Sequence, residues 1–137
     1  MIISDEYRLL IAAATPHRHP APVPVPVPAG IDWELALSLA ADHRLLGLLA
    51  RHLRVSGAFV PERFAARLAA ERQRIAAEEL LARRQLIEAA EVLAGAGVRM
   101  VAFKGAGMID QVYEQSGLRP MVDLDLLIAP EQSGLSV

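Results

Sequence analysis

Apolar and polar residues alternate with a helical period along the first part of the chain. SDEYRLLIAAA, residues 4–14, is predicted to form a short helix, with Ser4 as N-cap and acids in the first turn. A second N-cap candidate is Asp32, and apolar residues recur at helical spacing after it, at Leu35 and Leu39 and then at Leu45, Leu49 and Leu53. The polar pair Asp42-His43 is expected to divide that segment into two short helices.

A longer amphipathic helix is predicted after these. It has Pro61 at its first position, continues to about Leu93, and is followed by the helix-ending sequence GAG at residues 95–97. Its predicted apolar stripe is Phe64, Leu68, Ile75, Leu80, Leu86, Ile87 and Leu93. Its charged residues are Arg67, Arg72, Arg74, Arg83, Arg84, Glu71, Glu78 and Glu79. We expect them to form a solvated face with i,i+4 ion pairs, and favour this over an RNA-binding stripe.

The segment between the first two helical regions has a proline at every second position from Pro20 to Pro28. This spacing forbids a helix and predicts an extended, polyproline-II-like arm over residues 15–30. A semi-rigid spacer is the favoured interpretation, and a ligand for an SH3-type domain is the alternative. His17 and His19 in this arm are expected to be solvated and not metal ligands.

After residue 97 the apolar period changes from helix to strand. VRMVAF (98–103) and VDLDLLI (122–128) are predicted strands, and GAGMIDQVYEQ (105–115) is a predicted helix between them. The fold class is therefore α+β, with a helical N-terminal region followed by a partial mixed sheet and a flanking helix. The predicted divisions are an N-terminal helix and arm (1–30), a helical region (31–97) and the sheet-containing part (98–137).

Composition limits the class of protein. The hydrophobic fraction is 53% and the mean hydropathy +0.30, which is enough for a packed core. No apolar run approaches the ~20 residues that span a bilayer, and acids replace the basic start of a signal peptide. The chain has no cysteine, and a cytoplasmic location is expected. A net charge of −2 argues against a broad nucleic-acid surface.

The second predicted strand carries two aspartates one residue apart, Asp123 and Asp125. Side chains at i and i+2 of a strand share a face, so these carboxylates would repel unless a cation compensates them. Mg²⁺ takes one or two carboxylates and completes its shell with water and substrate phosphates. Taken alone, the short motif favours an edge strand whose exposed face carries two acids; a magnesium site is the other interpretation, and the residues near the motif shift the balance toward it.

A possible phosphate-binding segment ends the first predicted strand. Lys104, the chain's only lysine, is followed by Gly105 and Ala106 at the start of the predicted helix. Glycine permits close approach to a ligand, and a helix N-terminus presents free N–H groups to phosphate. Arg119, just before the second strand, could add a forked donor. Together with Asp123 and Asp125, these residues would make a nucleotide site.

These motifs resemble a known family. Trp33, LAADHRLLGLL, the long Arg/Glu/Ala helix, GVRMVAFKGAG, Tyr113 and LRPMVDLDLLI stand in the order found in the uncharacterised bacterial nucleotidyltransferases of the polymerase-β-like superfamily. The resemblance covers about residues 31 to 130. It implies a nucleotidyltransferase fold and Mg²⁺-dependent transfer of a nucleoside monophosphate from an NTP such as ATP. It further implies that Asp123 and Asp125 bind metal and that Lys104-Gly105 replaces the superfamily's Gly-Ser phosphate loop.

The chain departs from the superfamily pattern at three points. Lys-Gly replaces Gly-Ser, and Val122 stands where glycine or serine is usual before the first aspartate. The superfamily also uses a third carboxylate from a later strand, which no predicted strand here supplies. The other acids nearby are Asp110, Glu114 and Glu131. We therefore expect the N-terminal part of a family member, or a shortened or degenerate one, with inefficient catalysis.

The partners stay open at this point. The acceptor of the nucleotide could be a small molecule, a protein hydroxyl or an RNA end. A non-catalytic alternative is an interaction module or antitoxin-like regulatory partner, because a truncated sheet leaves an unpaired edge that favours a homodimer or a partner chain.

Overall fold

A computed structural model describes residues 3–15, 26–107, 113 and 115–132. Most of the predicted proline-rich arm and most of the predicted helix at 105–115 lie outside these residues, and the three predicted divisions of the chain stay predictions. Four α-helices and two short strands fall within them. In the described part of the chain, no helix is both long enough and apolar enough to cross a membrane.

The four helices begin and end close to the positions that their caps predicted. They are α1 (Asp5–Ala14), α2 (Trp33–Asp42), α3 (Leu46–Ser56) and α4 (Glu62–Gly95). The Ser4 side chain accepts a hydrogen bond from the Tyr7 N–H, and the Asp32 side chain accepts one from the Leu35 N–H at 3.1 Å. The predicted break after Asp42 is confirmed. Pro61 precedes α4 by one residue and does not occupy its first position.

The main hydrophobic core lies between α1, α2, α3 and the first half of α4. Its members are Leu9, Leu10, Ala13, Ile31, Ala36, Leu37, Ala40, Leu49, Leu53, Phe64 and Leu68. The Trp33 and Phe64 rings stack with centroids 6.1 Å apart and tie the start of α2 to α4. The carboxylate of Glu6 accepts a hydrogen bond from the Asp32 N–H at 3.1 Å, so α1 also holds the beginning of α2.

The charged face and the apolar stripe of α4 were predicted only in part. The expected ion pairs form, for example Arg84 with Glu88 at 2.7 Å. Both predictions were wrong at some positions. Leu80 and Ile87 of the predicted apolar stripe are 67% and 59% exposed, and Glu79 of the predicted solvated face is only 5% exposed. Whether a side chain on the second half of α4 is buried therefore depends on which segments contact that part of the helix, and not on the hydropathy of the residue alone.

The α+β class is confirmed. Strand β1 (Met100–Phe103) pairs antiparallel with β2 (Asp125–Ile128), and Phe103 lies opposite Asp125. Both strands are shorter than predicted. The Val98 N–H caps α4 by donating to the Leu93 carbonyl, so β1 begins only at residue 100. The pairing of β2 starts at Asp125 because the chain turns into a helical segment at residues 104–107 directly after β1.

Candidate active site

The end of β1 and the beginning of β2 form the centre of the candidate site. Their antiparallel pairing places Phe103 opposite Asp125, so the next residue, Lys104, reaches the Asp125 carboxylate. Its Nζ lies 3.3 Å from Oδ2, with the two side chains 61% and 34% exposed. The structure thus brings together the two motifs that the sequence predicted to form one site.

Lys104 adopts an unusual backbone conformation at this junction. Its φ is +50°, in the left-handed region that side chains other than glycine rarely adopt. The left-handed residue turns the chain from β1 directly into the helical segment 104–107. The tight connection keeps the lysine beside the first residue of β2, and its Nζ also lies 5.9 Å from the centroid of the Phe103 ring.

The two glycines of FKGAG have different environments. A Cβ at Gly107 would lie 2.7 Å from the Ala102 carbonyl oxygen, so this glycine is required by the packing of the helical segment on β1. A Cβ at Gly105 would meet only the Met121 sulfur at 3.4 Å, an ordinary contact distance. The residue between them, Ala106, is buried. Packing therefore explains Gly107, whereas a Cβ at Gly105 would only contact the Met121 side chain.

The two aspartates lie in different settings. Asp125 is the first residue of β2 and half-buried, whereas Asp123 is exposed and precedes the strand. The prediction that both stand within one strand is therefore wrong, because β1 has no residue left to pair beyond Phe103. Asp123 instead lies on the wall of a cleft of about 740 Å³ between α4, the α2–α3 turn and residues 120–124.

Arg119 belongs to the segment that leads into the aspartates. It is exposed, and the residue before it, Leu118, is only 2% exposed and anchors the segment. Asp125, Lys104 and Gly105 do not line the 740 Å³ cleft, and neither does Arg119. The role of Arg119 toward phosphate stays a prediction.

A buried carboxylate on α4 fixes this segment. Glu79 accepts a hydrogen bond from the Gly117 N–H at 3.0 Å and one from the Ser116 hydroxyl at 3.2 Å. It also pairs with Arg83 one turn along α4 at 3.2 Å. A buried charge needs such partners, because desolvation without them is costly. These contacts with α4 thus fix the position of residues 116 and 117, from which the chain continues to Asp123.

Close backbone packing supports the same segment from α3. A Cβ at Gly47 would lie 2.3 Å from the Gly117 carbonyl oxygen and 2.6 Å from that of Leu118. Gly117 itself has a φ of +81°, and a Cβ there would lie 2.9 Å from the Arg72 carbonyl oxygen. Two glycines are therefore needed where residues 117 and 118 pass between α3 and α4.

Glu79 was missed by the sequence interpretation, yet a signal for it exists. The buried residues of α4 are Phe64, Leu68, Ile75, Glu79 and Ala82. Steps of four, seven, four and three residues keep all five on one helical face. An acid at a register otherwise filled by apolar residues indicates a buried carboxylate with specific partners.

The sequence predicts a magnesium site at Asp123 and Asp125, and this site stays a prediction. Among the described residues, no group of three or more histidines, cysteines or acids is placed to hold a metal ion. Asp123 and Asp125 supply two carboxylates, which is the number Mg²⁺ takes when substrate phosphates and water complete its shell. The other candidate acids, Asp110 and Glu114, lie outside the described residues, as does the side chain of Glu131.

The structure thus has a lysine-glycine turn that contacts Asp125 at the start of β2, with Asp123 in the segment before that strand and a helical region N-terminal to both. A family model described as "Uncharacterised nucleotidyltransferase" matches residues 29–135. The chain belongs to this family, as its sequence motifs indicated. Searches of curated proteins and of solved structures found no match.

Proposed function

We propose that this protein binds an NTP at the junction of β1 and β2 and transfers its nucleoside monophosphate to an acceptor hydroxyl. The observation that carries the proposal is the contact between Lys104 and Asp125, since it joins the phosphate-binding and metal-binding motifs. In the reaction the acceptor oxygen forms a bond to the α-phosphorus, the bond to pyrophosphate breaks, and the hydroxyl proton passes to water.

Each residue of the site has a role in this proposal. The N–H groups of Gly105 and Ala106, at the beginning of the helical segment, bind the β- and γ-phosphates. Lys104 moves from Asp125 to the phosphates when the nucleotide arrives, and Arg119 adds a second cation. An exposed ion pair of this kind contributes only ~0–1 kcal/mol, so the exchange of partners costs little.

Asp123 and Asp125 would hold Mg²⁺ with the nucleotide. The ion, when bound, offsets the negative charge of the phosphates. With metal and nucleotide absent, the Lys104 ammonium partly neutralises Asp125, which explains why two carboxylates so close in sequence are tolerated. The base that takes the acceptor proton is not among the residues assigned here, so inefficient turnover stays part of the proposal, as does a cytoplasmic location.

Isothermal titration calorimetry with ATP tests the proposal. We expect wild type to bind ATP in Mg²⁺ and to lose at least tenfold in affinity in EDTA. Asp123→Asn and Asp125→Asn should each weaken binding in Mg²⁺ to about the EDTA value, whereas Asp5→Asn, an exposed acid on α1, should change nothing. Identical ATP binding by wild type and both site variants, with and without Mg²⁺, would refute the proposal.

A second candidate function is an interaction module, and one observation favours it. Val101, Phe103 and Leu127 lie on one face of the sheet and are 63%, 47% and 52% exposed. An apolar sheet face favours a homodimer, as do the edges that the described residues leave unpaired. Light scattering after size-exclusion chromatography checks it: a concentration-dependent dimer that Val101→Lys disrupts supports the module, and a monomer at all concentrations contradicts it.

A further inference from the structure

A second pocket, which we call the arm pocket, lies where the proline-rich arm meets the beginning of α2. Its volume is about 540 Å³. It is lined by residues 26–31 at the end of the arm, by Trp33, and by Ser56, Ala58 and Phe59 at the end of α3 and in the loop after it. None of these described lining residues carries a charge. The arm pocket therefore suits an uncharged and largely apolar ligand.

Phe59 lines this pocket and is far more exposed than its neighbours in the chain. It is 86% exposed, the largest value among the large hydrophobic residues that the structure describes, whereas Ala58 and Val60 pack against the core. Burial of a phenyl ring is favourable, and the fold of a single copy does not use it here. A ring that is exposed at an uncharged pocket is in place for a ligand to cover it.

The other rings of the arm pocket indicate which kind of ligand it suits. Trp33 is partly buried against the core, and Pro26 and Pro28 line the same pocket. Grooves lined by aromatic rings are the surfaces that bind polyproline-II segments. Such a segment is already extended when it is free, so little conformational entropy is lost when it binds. The lining of the arm pocket therefore suits a proline-rich ligand.

This chain carries a segment of that kind in its own arm. Residues 20–28 have the sequence PAPVPVPVP and contain no charged side chain, which matches the uncharged lining of the pocket. Residues 20–25 cannot enter the pocket of their own copy, because residues 26–28 already line it and the chain would have to reverse its direction there. Proline fixes its own φ and confines the residue before it to extended conformations, so proline at every second position excludes a tight turn. The arm of a second copy is free of this restriction.

We propose that the arm pocket binds residues 20–25 of a second copy of this chain, and that two copies exchange their arms symmetrically. In a twofold dimer the two pockets are equivalent, so each arm leaves its own pocket and enters that of the other copy. A polyproline-II segment has no internal hydrogen bonds, so its carbonyls are free to accept one from the Trp33 indole N–H. The contact involves neither the proposed nucleotide site nor the sheet face that carries Val101.

Tryptophan fluorescence tests the pocket directly, because Trp33 is the only tryptophan in the chain. A capped peptide with the sequence of residues 20–28 has no aromatic residue and is titrated into the full chain at the lowest usable protein concentration. We expect a saturable shift of the Trp33 emission. A control peptide with alanine in place of every proline should bind at least about tenfold more weakly, because it is not held in the polyproline-II form.

The decisive variant is Phe59→Ala, which should raise the dissociation constant of the proline peptide at least about fivefold. Since the Phe59 ring is 86% exposed, the variant should keep the Tm of wild type, so that lost binding is not a consequence of unfolding. Val92→Ala is the matched control. It removes an apolar side chain that is 72% exposed on α4 and does not line the pocket, and it should change nothing.

Light scattering after size-exclusion chromatography tests the exchange of arms. Over about a hundredfold range of concentration, we expect a monomer that becomes a dimer, because association follows mass action. Excess proline peptide should return the dimer to monomer, and Phe59→Ala should shift the transition to higher concentration. Val101→Lys, on the exposed face of the sheet, should leave this dimer intact.

Three results would overturn the proposal. The first is a wild type that stays monomeric over the whole range of concentration. The second is a dimer that neither excess peptide nor Phe59→Ala dissociates, since such a dimer uses another surface. The third is equal binding of the proline peptide and the alanine peptide, because the pocket then does not recognise the arm.

Discussion

Among the described residues, two that are not glycine have left-handed backbone angles, and both are basic residues near the proposed metal ligands. Lys104 contacts Asp125, and Arg44 lines the cleft that contains Asp123. A single left-handed residue with a side chain costs roughly 1 to 2 kcal/mol relative to the right-handed form. The surrounding helices and strands must supply that energy.

A pH dependence is predicted at Glu6. Hydrogen bonds from its own backbone N–H and from that of Asp32 hold the pKa of the Glu6 carboxyl below its usual range. The folded state therefore binds this proton less readily than the unfolded chain does. The stabilisation is fully present above the unfolded value of about 4.3 and is lost as the pH falls through the folded pKa.

Urea unfolding of Glu6→Gln at pH 7 and at steps below pH 4.5 measures this effect. We expect the variant to be less stable than wild type at pH 7, and the difference to shrink toward zero in acid. Glu91→Gln, which removes an exposed acid from α4, is the matched control. A stability difference for Glu6→Gln that stays the same at every pH would contradict the prediction.

At the scale of elements, the helical segment 104–107 after β1 contains two glycines with different roles. Gly107 is required by packing, and Gly105 belongs to the proposed phosphate site. We expect Gly107→Ala to destabilise the fold by about 1 to 3 kcal/mol, because its Cβ would overlap the Ala102 carbonyl. Gly105→Ala should leave the unfolding free energy within about 0.5 kcal/mol, because its Cβ would only contact the Met121 side chain, but it should weaken ATP binding, because the methyl group would crowd the backbone N–H groups proposed to bind the phosphates. Thermal unfolding and calorimetry on both variants check this, and equal effects of the two substitutions would argue against it.

The elements differ in how far local sequence determines them. The caps at Ser4 and Asp32 and the glycine stop after α4 depend on neighbouring residues, so their positions were predictable. The length of β2 depends on where β1 ends, which is a property of the pair. The burial of Glu79 depends on Gly117, 38 positions away, and hydropathy carries no information about that partner.

The candidate site was predicted in its motifs but not in its surroundings. The sequence interpretation assigned Lys104 to phosphate and Asp125 to metal within one site; the structure brings the two side chains to 3.3 Å, and their roles toward phosphate and metal stay predictions. Arg44 and the cleft could not be found this way. A cleft is formed by side chains from three separate segments, and an arginine at the end of α2 looks like any solvated charge until its φ is known.

For the molecule as a whole, Glu79 connects the helical region to the site. We expect Glu79→Ala to destabilise the protein by about 1 to 3 kcal/mol, since the buried Gly117 N–H loses its acceptor. The variant should also weaken Mg²⁺-dependent ATP binding by releasing the segment that carries Asp123. Glu79→Gln keeps a carbonyl oxygen for that N–H and should lose less.

Urea unfolding and ATP calorimetry separate the two effects of Glu79. Ser116→Ala, which removes the weaker of the two hydrogen bonds, is the companion variant and should cost less stability than Glu79→Ala. If Glu79→Ala unfolds like wild type, the contact is dispensable and the segment is held by Leu118 and the glycine packing instead.

The continuity of α4 limits how its length can vary. Phe64 lies in the core and Glu79 at the site, and no break in the helix separates them. Inserting one residue between them would rotate Glu79 by about 100° around the helix axis and advance it by about 1.5 Å. Two added turns would restore the angle but move the carboxylate about 10 Å along the axis. Length changes are therefore expected in the loop at residues 57–61, and not in this part of α4.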